Sequence, residues 1–172
     1  MKPIFIRMTM LMSVAFALGP TLGLAAGKTA KGILPQATAV AKKWNADAVL
    51  TAASTLDAKP DGTAQAWSLS FYSSNAKKSY IVDIRGGKSG GLEVPAYGTD
   101  PVGEFIDSDK AMTSAKKNGM KTKKQVPMAV RVSGSGKEAH SYWTVGTAFG
   151  PGEVAVVLDA KTGALFTKHE GQ

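Results

Sequence analysis

Two tryptophans, Trp67 and Trp143, stand 76 residues apart, each inside a stretch that alternates apolar with polar residues. Alternation places every second side chain on one face of a strand, so each tryptophan is expected on a buried face. The same offset pairs Leu69 with Val145, Val82 with Leu158, Asp83 with Asp159, Arg85 with Lys161 and Gly87 with Gly163. Upstream, Ala-Lys-Lys at 41–43 and again at 115–117 repeats at an offset of 74, and a two-residue difference in one loop reconciles the registers. Self-similarity at a fixed period sets architecture before any motif does. The chain is expected to hold two copies of one unit.

In the first unit, Pro35 suits a first helical position. Ala37, Val40, Ala41 and Trp44 then recur at helical spacing up to Asn45. Ala48 to Ser54 reads as a strand and Lys59-Pro60-Asp61-Gly62 as a turn. Ala64 to Ser73 alternates, with Trp67, Leu69 and Phe71 on one face and Tyr72 on the other; Tyr80 to Arg85 follows as a strand. In the second unit Asp107 or Ser108 caps a helix through Asn118, and Gly119 is placed to end it. Gln125 to Val132, Ala139 to Phe149, Val154 to Asp159 and Ala164 to His169 read as strands, with Pro127 suited to an edge or a strand start. Ser133-Gly134-Ser135-Gly136 reads as a turn.

The expected class is α+β: two tandem units, each a helix packed on an antiparallel sheet in the order helix, strand, strand, strand. Their expected bounds are residues 32–88 and 105–170, with a Gly-rich linker at 89–104.

Residues 1–26 read as a signal peptide. Lys2 and Arg7 precede an apolar run from Met8 to Leu18, Gly19-Pro20 breaks it, and small residues follow up to Ala26. The apolar run is shorter than the ~20 residues a spanning helix needs, and no later stretch is apolar enough, so no transmembrane segment is expected after cleavage. Cleavage removes two basic residues and lowers the formal charge from +8 to +6. A periplasmic or extracellular location follows. The chain has no cysteine, so a disulfide scaffold, a thiol nucleophile and a Cys-ligated metal are excluded.

The second unit resembles a PepSY domain. Ser-Asp-Lys-Ala at 108–111, Ala-Lys-Lys-Asn-Gly at 115–119 and Val-Val-Leu-Asp-Ala-Lys-Thr-Gly at 156–163 are similar to that family's helix and final hairpin. The first unit has Asp-Ile-Arg-Gly-Gly at 83–87 in place of the last turn and joins through the repeat. The resemblance implies a small exported α+β module of the kind found in protease pro-regions and envelope proteins, with a protein-binding or protease-inhibiting role. The tandem also resembles, in architecture, the secreted β-lactamase inhibitor protein, whose disulfides this chain does not share.

No motif names a reaction. His140 and His169 lack partners at zinc-ligand spacing. Ser135 lies in a Gly-Ser-Gly turn with no helix behind it, unlike a nucleophile elbow. Gly87-Lys88-Ser89 imitates the end of a phosphate loop, but position 82 is Val where a glycine is needed. Residues 57–62 and 107–112 miss the calcium-loop pattern at Lys59 and Met112. The expectation is a non-enzyme with no catalytic residue, no metal and no cofactor.

What remains is recognition. Lys116, Lys117, Lys121, Lys123 and Lys124 form the densest charge run, which reads either as contact with an anionic surface or as a solvated helix end balanced by nearby carboxylates. No aromatic interleaves with it, so nucleic acid is not expected. Trp44, Trp67 and Trp143 are expected in the core. Tyr72, His140 and Tyr142 fall on the opposite face, where the tyrosines read equally as anchors for a partner or as exposed cross-strand packing. A sheet covered by helices on one side leaves its other face free. The candidate partner-binding residues are therefore Tyr72, His140, Tyr142, Lys121, Lys123 and Lys124. The expected function is protein binding, with a protease among the candidate partners; the alternative is a small-ligand carrier binding between the two units.

Overall fold

The computed structural model describes residues 27–134 and 139–172. The expected signal segment and the tip of the turn at 133–136 lie outside the described residues. The elements run α1 (Ala30–Trp44), β1 (Val49–Ala58), β2 (Ala66–Ser73), β3 (Lys78–Arg85), β4 (Lys88–Pro95), α2 (Ser108–Lys117), β5 (Val126–Ser133), β6 (His140–Val145), β7 (Val154–Asp159) and β8 (Leu165–Glu170). The fold is α+β. All the strands join one antiparallel sheet in the order β4-β3-β2-β1-β5-β6-β7-β8. All of these elements fall within residues 27–172.

Two of the expectations are corrected here. The sheet is shared: β1 pairs with β5 from Ala52↔Arg131 to Ala58↔Val126. Without that pairing each half would expose the backbone donors and acceptors of a long strand edge. The segment expected as a linker is a strand for much of its length. Lys88–Pro95 pairs residue by residue with β3, and Gly86 and Gly87, at φ of 56° and 80°, make the two-residue hairpin turn. Each half thus contributes four strands. Pro127 lies near the start of a central strand, as one of its two expected placements allowed.

Pro35 also sits elsewhere than expected. It is inside α1, not at its first position, and it is exposed, so the Lys31 carbonyl that it leaves without an intrahelical donor faces water. Thr29 is the N-cap, its hydroxyl accepting from the Gly32 amide at 3.1 Å.

Both helices cover the same face of the sheet. Ile33, Ala37 and Ala41 of α1 and Ala111, Met112 and Ala115 of α2 share one core with the inward residues of the strands. Trp67 and Trp143 are its largest buried side chains. Each indole N–H donates to a carbonyl just before a helix, Trp67 to Lys28 at 2.8 Å and Trp143 to Ile106 at 2.9 Å. Burying an indole requires such a partner. Trp44 is only half-buried: it stacks on Tyr80 with centroids 4.9 Å apart and donates to Glu93 at 2.9 Å, fastening α1 to β4.

The two helix N-termini meet. Asp107, the N-cap of α2, accepts from the Ser108 amide at 2.8 Å and from the Lys31 amide of α1 at 2.9 Å. The fully buried Ser108 hydroxyl accepts from the Ala30 amide at 3.0 Å. The chain reaches this point from the opposite side of the sheet. Tyr97 lies over Ser70 and Ser79 on the face away from the helices. The Val102 amide then donates to Leu50 at 3.0 Å, and Phe105 packs edge-on against Trp143 in the helix-side core.

Asp107→Ala should lower stability by about 1–2 kcal/mol in urea denaturation, whereas Asp107→Asn, which keeps an acceptor, should retain most of it. A second check is acid titration. Asp47, between α1 and β1, accepts from Ser73 Oγ at 2.7 Å, Ser74 Oγ at 3.0 Å and the Asn75 amide at 3.0 Å. These bonds, that from Ser73 first, lower its pKa from 3.8 to about 2. A depressed folded-state pKa means the contribution is present above 3.8 and is lost as pH falls toward 2. Asp47→Asn should flatten that limb of the melting-temperature profile, and an unchanged limb would contradict the assignment.

Candidate binding face

The alternation of β6 divides its side chains between two environments. Trp143 and Val145 enter the core; His140, Tyr142 and Thr144 point away from the helices. In β2, Trp67, Leu69 and Phe71 are likewise buried, and Tyr72 lies on the outer face beside Val49 and Ser79. Tyr72 and Tyr142 therefore share a face, as the sequence pattern predicts.

They do not share a site. β2 and β6 are three strand spacings apart, about 14 Å. On the first half Tyr97 occupies part of the outer face, its hydroxyl 2.6 Å from Ser70 Oγ. On the second half an aromatic cluster stands open. Tyr142 packs against Phe166 with centroids 4.6 Å apart and against His140 at 6.1 Å. Phe166 is 63% exposed. The ladder between β7 and β8 shifts register between Val157 and Leu158, and this irregularity lies next to the residue that meets Tyr142.

Arg131, Tyr142 and Asp159 lie in one cross-strand row, so cation, ring and carboxylate are presented side by side. The Asp159 carboxyl is held below the usual range, chiefly by the Thr162 hydroxyl, then by the Thr162 amide, with the charge of His140 a smaller contribution. It is occupied in fixing the β7–β8 turn, accepting both Thr162 bonds at 2.7 Å.

The lysines are elsewhere. Lys121, Lys123 and Lys124 are exposed on the connection that enters β5 at Val126, whereas Tyr142 pairs with Arg131. That separates them along the strand by about 17 Å. The six candidate residues thus fall into three groups: Tyr72 alone, His140 with Tyr142, and the lysines at the far end. Phe166 and Arg131 were missed. The apolar stretch at 164–169 carried a signal for Phe166, but its facing depends on the register shift.

A cleft on the helix side lies where the first turns of α1 and α2 meet residues 103–107. It is an open space of about 700 Å³, bordered by Lys31, Leu34, Phe105, Asp109, Lys110 and Lys161 among others. Lys31 Nζ lies 5.3 Å from the Phe105 ring centre, and Lys161 pairs with Glu104 at 3.0 Å. Among the described residues, no three His, Asp or Glu side chains gather as a metal site would require. No helix among them is long and apolar enough to cross a membrane.

No family model matches the chain, and no curated protein does. A solved structure does share its fold. The crystal structure of a candidate lipoprotein from Clostridium difficile 630 superposes with a TM-score of 0.54 at 11% identity, covering 79% of this chain and 91% of that one. At that identity the likeness concerns the fold.

The Tyr142–Phe166 contact is an exposed cross-strand aromatic pair, so a double-mutant cycle on Tyr142→Ala and Phe166→Ala should give a coupling of about 0.5–1 kcal/mol in urea denaturation. Additive effects would mean the rings do not meet in solution.

Proposed function

We propose that the chain is an exported, non-catalytic protein-binding module whose partner docks on the outer face of the sheet at Tyr142, Phe166 and His140. The observation that carries the reading is this open aromatic cluster, flanked by Arg131 and Asp159 on a face that the helices do not cover. Tyrosine and arginine are the residue types that most often anchor protein interfaces. The signal-like start, with Lys2 and Arg7 ahead of an apolar run, supports export to the periplasm or beyond. The matching tryptophan bonds in the two halves support a duplicated, PepSY-like unit, and that resemblance makes a protease or another envelope protein the natural partner class.

The cleft between the helix N-termini favours a second reading, a carrier of a small ligand held between the halves. Its mixed border of Lys31, Lys110 and Lys161 with Asp109 and Glu104 suits a polar molecule. Such a ligand would raise the melting temperature as its concentration rises, with the logarithm of concentration above its Kd, by mass action.

The deciding experiment immobilises residues 27–172 and challenges them with an envelope extract. The proposal expects a protein retained by the wild type to be lost from a Tyr142→Ala, Phe166→Ala variant and kept by Tyr72→Ala. Equal retention by wild type and double variant would overturn the sheet-face assignment, and a ligand-dependent rise in melting temperature without any retained protein would favour the carrier.

A further inference from the structure

We infer that the end of the sheet bearing the α2–β5 and β6–β7 connections is a docking surface for an anionic lipid bilayer. Two large apolar side chains stand almost entirely in solvent there: Phe149 is 94% exposed and Leu56 is 86% exposed. Their common location follows from the backbone. The Gly146 amide at the base of the β6–β7 loop donates to Pro127 at 2.9 Å, beside the entry to β5. Leu56 lies between the pairs Thr55↔Met128 and Ala58↔Val126, on the other side of that same stretch of β5.

The loop carrying Phe149 is held in shape. Glu153 accepts from Thr147 Oγ1 at 2.8 Å, from the Phe149 amide at 3.1 Å and from the Gly150 amide at 3.3 Å. The Glu153 carbonyl in turn accepts from the Gly171 amide at 2.9 Å, tying the loop to the C-terminal segment. A phenylalanine fixed in water by a built loop gains nothing for the fold. Inserted among acyl chains, it loses that unfavourable hydration.

The charge around it selects the surface. Lys121, Lys123 and Lys124 are exposed on the adjoining connection, and no ion pair engages them among the described residues. Lys117 is exposed at the end of α2 beside them. Of the carboxylates at this end, Glu170 pairs with Lys168 at 2.6 Å, while Asp57, Asp61 and Glu153 bond to hydroxyls and amides of their own segments, which leaves their charge in place. Among the described residues none of them pairs with Lys117, Lys121, Lys123 or Lys124, and these lysines stand beside two projecting apolar groups. Lysines act as flexible point charges with no fixed fork geometry, which suits a mobile layer of phosphate headgroups. Two side chains projecting from separate segments suit a bilayer interface, which needs no shaped groove to receive them. Binding here leaves the aromatic cluster on the sheet face free, so the two surfaces are separable.

The test is co-sedimentation of residues 27–172 with vesicles of phosphatidylcholine alone and of phosphatidylcholine mixed with phosphatidylglycerol. The inference expects binding to the mixed vesicles that weakens as salt rises, and none to neutral ones. A Lys121→Gln, Lys123→Gln, Lys124→Gln variant should bind about a hundredfold more weakly, at roughly a factor of five per lysine. Phe149→Ser should weaken binding about tenfold; its backbone amide still reaches Glu153, so the loop and the melting temperature should hold. No sedimentation with the mixed vesicles, equal binding to neutral ones, or a triple variant as tight as wild type would overturn it. So would tighter binding to duplex DNA or an acidic peptide without vesicle binding.

Discussion

One carboxylate joins the two halves on the helix side. Asp107 caps α2 and at the same time accepts the Lys31 amide in the first turn of α1, so two helix N-termini share one anion. Two positive dipole ends brought together would repel; a negative group between them turns the approach into an attraction. Ser108 completes the junction by accepting the Ala30 amide where water cannot reach. On the sheet side the corresponding joint is the β1–β5 ladder. With both in place, two half-cores become one, and Trp67 and Trp143 are buried in a single interior.

This arrangement explains why the outer face is free to work. Helices, tryptophans and the residues around Phe105 all go to one side of the sheet, so stability is concentrated there. The outer face of the second half carries little of that burden, and its aromatics can change without cost to the core. The same division holds at the sheet's end, where Glu153 shapes a loop that carries Phe149 out into solvent.

Much of the fold was legible because period-two alternation is a strong signal where one face is buried. β2, β6 and β7 lie close to their expected places, and Gly119, at φ of 97°, ends α2 as its position suggested. β4 was missed because Lys-Ser-Gly-Gly-Leu-Glu-Val-Pro has little strand propensity and no buried face. It is an edge strand whose order comes from its ladder to β3 and from Trp44 reaching Glu93, neither visible locally. The start of α1 was placed too late because Pro35 looked like a helix beginning, whereas Thr29 caps it upstream. At the candidate face, the facing of Tyr72, His140 and Tyr142 was legible; the grouping was not, since it depends on strand order.

By itself the sequence determined the class, the two-part organisation of its pattern and, in β2, β6 and β7, the side of the strand on which each residue stands. These are local consequences of side-chain period and turn chemistry. Only the tertiary structure decided that the strands form one sheet with β1 beside β5, that Tyr142 meets Phe166 while Tyr72 stands apart, and that the lysines sit with Phe149 at the opposite end. The physical reason is that strand order and register are set by long-range hydrogen bonds and by the need to close one core, and those partners are distant in the chain.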